Sequence, residues 1–100
     1  MKTITLCGSM KYEKEMPLIA FCLETKHHYN VLQCVYNFGK EELTPAVRRA
    51  LTEAHYKKIE MSDAIYVVDI QGYIGSSVKE EIAYAKEKGK EIIVHSKYDL

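Results

Sequence analysis

The stretch AIYVVD, residues 64–69, constrains the fold more than any other part of this chain. It runs apolar without alternation and then ends in an acid. A strand with one solvated face alternates polar and apolar residues, whereas a strand covered on both faces does not. The run therefore predicts a central strand of a parallel sheet. Such a sheet needs helices on both faces.

The flanking residues supply them. TITLC, residues 3–7, reads as a first strand, and the polar segment GSMKYEKEM leads into a helix that Ser9 can cap. Pro17 either kinks that helix or begins a second helical segment. The helix ends near His27 and His28, where positive charge suits the helix dipole. A second strand is predicted over 29–37 and a loop over 38–42. Thr44 and Pro45 open a helix that runs to about Met61, with Val47, Ala50, Leu51, Ala54 and Ile59 on an imperfect apolar face. After the central strand come the loop 71–76, a helix over 77–88 stopped by Gly89, and a last strand over 91–95. Strand and helix alternate throughout. The expected fold is a single α/β domain over 1–100: three α-β-α layers around a small, mostly parallel sheet of Rossmann or flavodoxin-like topology. Ligands in such folds bind beyond the carboxyl ends of the strands. Those ends are Cys7–Lys11, Asn37–Glu41, Asp69–Ser77 and His95–Lys97.

Charge narrows the partners. Fourteen Lys and Arg balance fourteen Asp and Glu among 100 residues, so nothing favours a long nucleic-acid contact. A nucleotide-sized ligand needs only a local site. No apolar run approaches membrane-spanning length, and polar residues directly after the first strand argue against a signal peptide. Cys7, Cys22 and Cys34 fit neither a disulfide framework nor a zinc spacing; they read as small buried thiols of a cytoplasmic protein. The histidines His27, His28, His55 and His95 show no metal-binding spacing. Eight tyrosines against two phenylalanines suit an amphipathic cleft or an interface.

The segment GYIGSSVKEEIAYA, residues 72–85, holds the candidate chemistry. Ser77 and Glu80 have capping-box spacing. With Val78 at zero and about 100° per residue, Ile82 falls at about 40° and Ala85 at about 340°, which defines a buried stripe. Glu81 falls at about 300°, on its shoulder; a stem packed on apolar atoms with its carboxylate reaching outward is the plain alternative to a functional acid. Asp69 is a second acid in the same region, at the end of the central strand; a functional acid and a plain anchor for the following loop are the two readings of it. Gly72 and Gly75 let the loop approach a ligand, and Ser76, Ser77 and the free N–H groups of the helix start can hold an anion. Gly8, Ser9 and Lys11, in CGSMK after the first strand, offer further donors.

With these residues placed, the chain resembles the nucleoside 2-deoxyribosyltransferase-like family, which includes the deoxyribonucleoside 5'-monophosphate N-glycosidases. The resemblance rests on ITLCGS (4–9), AHYKKIEMSDAIYVVD (54–69) and EEIAYAKEKGKEIIV (80–94). It implies that Glu81 is the nucleophile and that Asp69 handles the base and its proton. It matches Glu60 loosely to a further acid and Asp63 to a structural one. Ser9 and Ser76 or Ser77 resemble the phosphate-holding serines of the monophosphate branch. The remaining substrate-binding residues are then Gly8, Lys11, Gly72, Tyr73 and Gly75, with Tyr12, Tyr73 or Tyr36 bordering the base. Lys11 stands where that branch tends to have arginine, without arginine's fork. Beyond the last strand only His95, Ser96, Lys97, Tyr98 and Asp99 precede Leu100, where the transferase branch brings groups from a neighbouring subunit.

The implied reaction cleaves or transfers at the N-glycosidic bond of a (deoxy)nucleoside or its 5'-monophosphate, at C1 of a deoxyribose, through the glutamate nucleophile. It needs no metal and no cofactor. The partners expected are that small substrate and a second copy of the chain in a homodimer. The competing expectations are a non-catalytic nucleotide or sugar-nucleotide binding module on the same fold, and an interaction protein that has kept only the fold.

Overall fold

A computed structural model describes residues 1–36 and 43–100. Strand β1 spans Thr3–Gly8, helix α1 Met16–His27, strand β2 Asn30–Leu32, helix α2 Pro45–Met61, strand β3 Ala64–Val68, helix α3 Ser76–Glu87 and strand β4 Glu91–Val94. Short 3-10 turns at Met10–Tyr12, Ile70–Gly72 and His95–Lys97 follow β1, β3 and β4. The four strands form one parallel sheet in the order β2-β1-β3-β4. This is the flavodoxin-like order, and the expected three-layer α/β architecture is what the chain adopts.

The residues of β3 explain its central place. All five are buried, and they divide between two cores. Ala64, Tyr66 and Val68 join Ile4 and Leu6 of β1 and Met16, Ile19, Ala20 and Leu23 of α1. Ile65 and Val67 join Cys7, Ile59 of α2, and Val78 and Ala85 of α3. Two-residue periodicity thus sends successive side chains to opposite layers. One helix covers the first face and two cover the second. The C-terminal segment helps α1: Tyr98 and Leu100 pack on the first core, and the Tyr98 ring meets Tyr66 edge-on at 5.6 Å.

Local chemistry sets the boundaries. Ser9 caps the 10–12 turn, its Oγ accepting from Lys11 N at 3.2 Å, and α1 starts separately with Pro17 in its first turn. Of the two readings of Pro17, the second is the one realised. Thr44 caps α2, its Oγ1 accepting from Val47 N at 3.2 Å. Gly89, at φ 72°, ends α3 in the left-handed conformation that glycine takes without strain.

Three expectations are corrected. The second strand stops at Leu32, so the predicted residues Gln33–Tyr36 are not strand, while Asn37 and the predicted loop 38–42 lie outside the described residues. Helix α3 begins at Ser76 with Gly75 as its cap and no side-chain cap bond, so Ser77 lies inside the helix and the Ser77–Glu80 capping box is not formed. On α2 only Ile59 is buried; Val47, Ala50 and Ala54 are exposed. The imperfect apolar face has a physical reason: the preceding turns of α2 line a cleft instead of the core.

Candidate active site

Going from β1 the chain passes to β2 on one side and then, through α2, to β3 on the other. The carboxyl ends of β1 and β3 therefore diverge in their connections, which leaves a crevice above them. It is a cleft of about 760 Å³. Gly8 and Ser9 border it from the end of β1, Leu51, His55 and Lys58 from α2, and Tyr73, Gly75, Ser76, Ser77 and Glu81 from the loop and first turns of α3.

Glu81 sits one turn into α3, beside the buried residues Val78 and Ala85, as its helical angle requires. Its side chain is 14 % exposed. Oε1 lies 3.1 Å from Nε2 of His55, whose side chain is 12 % exposed. The same Nε2 lies 3.6 Å from the Cys7 thiol. His55 Nδ1 is buried and has no hydrogen-bond partner among the described residues, so the ring's polar contacts are made by Nε2 alone. Burial pushes the Cys7 thiol well above its ordinary range, and the Glu81 charge adds to the effect. Cys34, another residue of the cleft wall, is raised by burial, with Lys58 pulling the other way. Tyr56 is raised by burial first and by Glu81 second.

At the rim, the start of α3 brings Gly75, Ser76 and Ser77 opposite Gly8 and Ser9. The first N–H groups of α3 have no intrahelical acceptor, so the rim can receive an anion. Gly8 also answers a packing demand: a Cβ there would lie 3.0 Å from Cβ of Val68 and 3.1 Å from Sδ of Met16.

The other expected residues lie elsewhere. Asp69 is buried, and its carboxylate accepts from Ser96 N at 2.8 Å and from Ser96 Oγ at 2.6 Å. It ties the end of β3 to the turn after β4 and is not among the residues lining the cleft. Lys11 and Gly72 are not lining residues either. The Lys11 ammonium stands 4.4 Å from the centre of the Tyr73 ring, at the cleft's edge. Tyr12 is buried and donates to Ile70 O at 2.8 Å. Tyr36 donates to Gln33 Oε1 at 2.7 Å. Glu60 accepts from Tyr84 OH at 2.6 Å on the exposed side of α2. Asp63 accepts from Thr3 N at 2.9 Å, a structural tie.

His55 and Cys7 were not singled out by spacing. A signal existed for His55. It stands one helical turn before Ile59, the buried residue of α2, and so shares its face. A helix entering after β2 runs back along the sheet, which puts His55 nearer the cleft mouth than Ile59.

The fold and the cleft define a three-layer α/β domain with flavodoxin-like strand order and a carboxylate at its topological switch point. Among solved structures the chain is similar to the CMP N-glycosidase BcmB of Clostridium botulinum, with 22% identity and a TM-score of 0.61 over 93% of this chain and 70% of that one. At that identity the likeness is one of fold. No protein-family model matches the sequence, and no curated protein matches it. Among the described residues, no helix is long and apolar enough to cross a membrane.

Proposed function

We propose that this chain breaks the N-glycosidic bond of a nucleoside or nucleoside 5'-monophosphate, with Glu81 as nucleophile. The observation that carries the reading is the Glu81 carboxylate in the cleft wall, at the switch point, facing a rim of glycines and serines. The fold-level likeness to a CMP N-glycosidase supports the substrate class.

In this reading the rim holds the phosphate or the sugar hydroxyls, and Tyr73 borders the base. Glu81 attacks C1' as the bond to the base nitrogen breaks, and the bonding electrons leave with the base, which takes up a proton. The departing base leaves oxocarbenium character on the sugar, which the nearby carboxylate stabilises. A glycosyl ester on Glu81 results. Water then attacks C1', loses a proton and frees Glu81; a second base in place of water makes the reaction a transfer. His55 orients the carboxylate. Asp69 is assigned to the base by resemblance alone; its carboxylate is held by Ser96, so that role requires it to leave Ser96 when substrate binds. The reading includes a homodimer. It is consistent with α1, which leaves Leu18 and Phe21 65–69 % exposed; sedimentation velocity measures it.

The binding-module reading is favoured by one observation, the Glu81 oxygen already engaged by His55. Base release from a panel of nucleosides and 5'-monophosphates, with and without an acceptor base, decides between the two. Release that Glu81→Gln abolishes supports the enzyme. Tight binding of a monophosphate with no release supports the module.

A further inference from the structure

We propose that Cys7, His55 and Glu81 together form a binding site for a thiophilic divalent cation, Zn²⁺ being the natural occupant. One sulfur, one imidazole nitrogen and one carboxylate oxygen, from β1, α2 and α3, all lie within 4.8 Å of one another. The two nearer separations are 3.6 Å for sulfur to nitrogen and 3.1 Å for nitrogen to oxygen. A tetrahedral zinc ion with ordinary bond lengths holds such donors about 3.4–3.6 Å apart. An ion fits between them when the two nearer pairs shift by a few tenths of an ångström and the third pair, the Cys7 sulfur and the Glu81 oxygen, which lie within 4.8 Å, closes toward the same range by rotation of the Glu81 side chain. The mixed S, N, O donor set suits Zn²⁺ and disfavours Mg²⁺ or Ca²⁺, which take oxygen ligands.

Three donors leave one position of a tetrahedral ion for water or a ligand, the pattern of an open rather than a structural site. His55 and Glu81 line the cleft, so that position faces the space a ligand would occupy. On binding, the S–H bond of Cys7 is replaced by a sulfur–metal bond and the proton passes to solvent; nothing is oxidised or reduced. Sequence spacing concealed the site, because its ligands come from three separate elements.

The site has a consequence that rests on the glycosidase reading. A cation that takes Glu81 as ligand withdraws its electron pair from C1', so metal occupancy blocks turnover. Zn²⁺ would act as an inhibitor of the nucleophile.

The experiment is titration of the metal-stripped, reduced protein with Co²⁺ followed by optical spectroscopy, then displacement by Zn²⁺. A tetrahedral cobalt spectrum with a thiolate charge-transfer band, saturating at one equivalent and displaced by Zn²⁺, is expected. Cys7→Ser should remove the thiolate band, and His55→Gln and Glu81→Gln should each weaken binding by more than about a hundredfold, the most that loss of an outer-shell contact costs. Cys34→Ser should leave the band in place. No thiolate band in the wild type, or a band that survives Cys7→Ser, overturns the proposal. Should Cys7→Ser fail to fold by circular dichroism, unchanged affinity in folded His55→Gln overturns it equally. Base release is a separate arm: its loss at one equivalent of Zn²⁺ and recovery with a chelator joins the two readings. A metal-stripped wild type that releases no base from any substrate of the panel, yet binds Co²⁺ with the thiolate band, refutes the glycosidase and leaves the metal site standing.

Discussion

Glu81 of α3 and His55 of α2 meet at 3.1 Å on the wall of the cleft, although 26 residues separate them in the chain. The contact joins an acid predicted from its helical angle to a histidine without metal-binding spacing, whose one signal was its place a helical turn before Ile59. It also fixes the direction of the Glu81 carboxylate, which lines the same cleft as Gly8, Ser9, Gly75, Ser76 and Ser77.

Glu81→Gln keeps the shape of the side chain and removes the nucleophile. Base release should fall by about 10³-fold or more, with the melting temperature little changed. Turnover near the wild-type rate would assign the chemistry to another group.

His55→Ala frees the Glu81 carboxylate to rotate. Under the glycosidase reading kcat should fall by about 10–100-fold while KM stays close to its original value. His55→Gln, which can still donate to Oε1, should recover part of the loss. A kcat unaffected by either change would make the contact incidental to catalysis.

Asp69→Ala removes two acceptors from Ser96 in a buried setting. The loss should be about 2 kcal/mol of stability, read by urea denaturation. If base release collapses while the denaturation midpoint stays put, Asp69 acts on the substrate and its tie to Ser96 is secondary.

Gly8→Ala places a methyl group against Val68, whose branched side chain has little freedom to move, and against Met16. About 1–3 kcal/mol of destabilisation is expected from the overpacking. An unchanged unfolding midpoint would mean that the start of α1 shifts to make room.

The Tyr84–Glu60 hydrogen bond couples two titrations. It pushes Tyr84 up to about 12 and holds Glu60 below its usual value. The carboxylate's contribution to stability is therefore present above the ordinary Glu range and fades as pH falls through the lowered folded value. The phenol's is present below about 10 and fades as pH rises toward about 12. Tyr84→Phe should move the Glu60 titration upward, followed by carboxyl NMR, with Lys57, Lys88 and Lys90 still favouring the charged form; no movement would show that the pair is not formed in solution.

Much of the fold was legible along the chain because its signals are local. The unbroken apolar run of β3 required cover on both faces, Thr44 and Pro45 marked the start of α2, and the angle between Val78, Ile82 and Ala85 put Glu81 at the edge of the core. Local signals failed where the partner was distant. Gln33–Tyr36 reads as strand but stays outside the sheet. Asp69 reads equally as a cleft acid or a loop anchor, and the residue that takes its oxygens, Ser96, lies 27 residues away. Strand order is not written in any one segment: it depends on which strand ends β1 finds as neighbours. Only that choice, β2 on one side and β3 on the other, opened the cleft and brought Cys7, His55 and Glu81 together. By itself the sequence determined the elements and the faces they bury, through periodicity and capping. The tertiary structure decided which polar groups meet, because their contacts follow from packing between segments far apart in the chain.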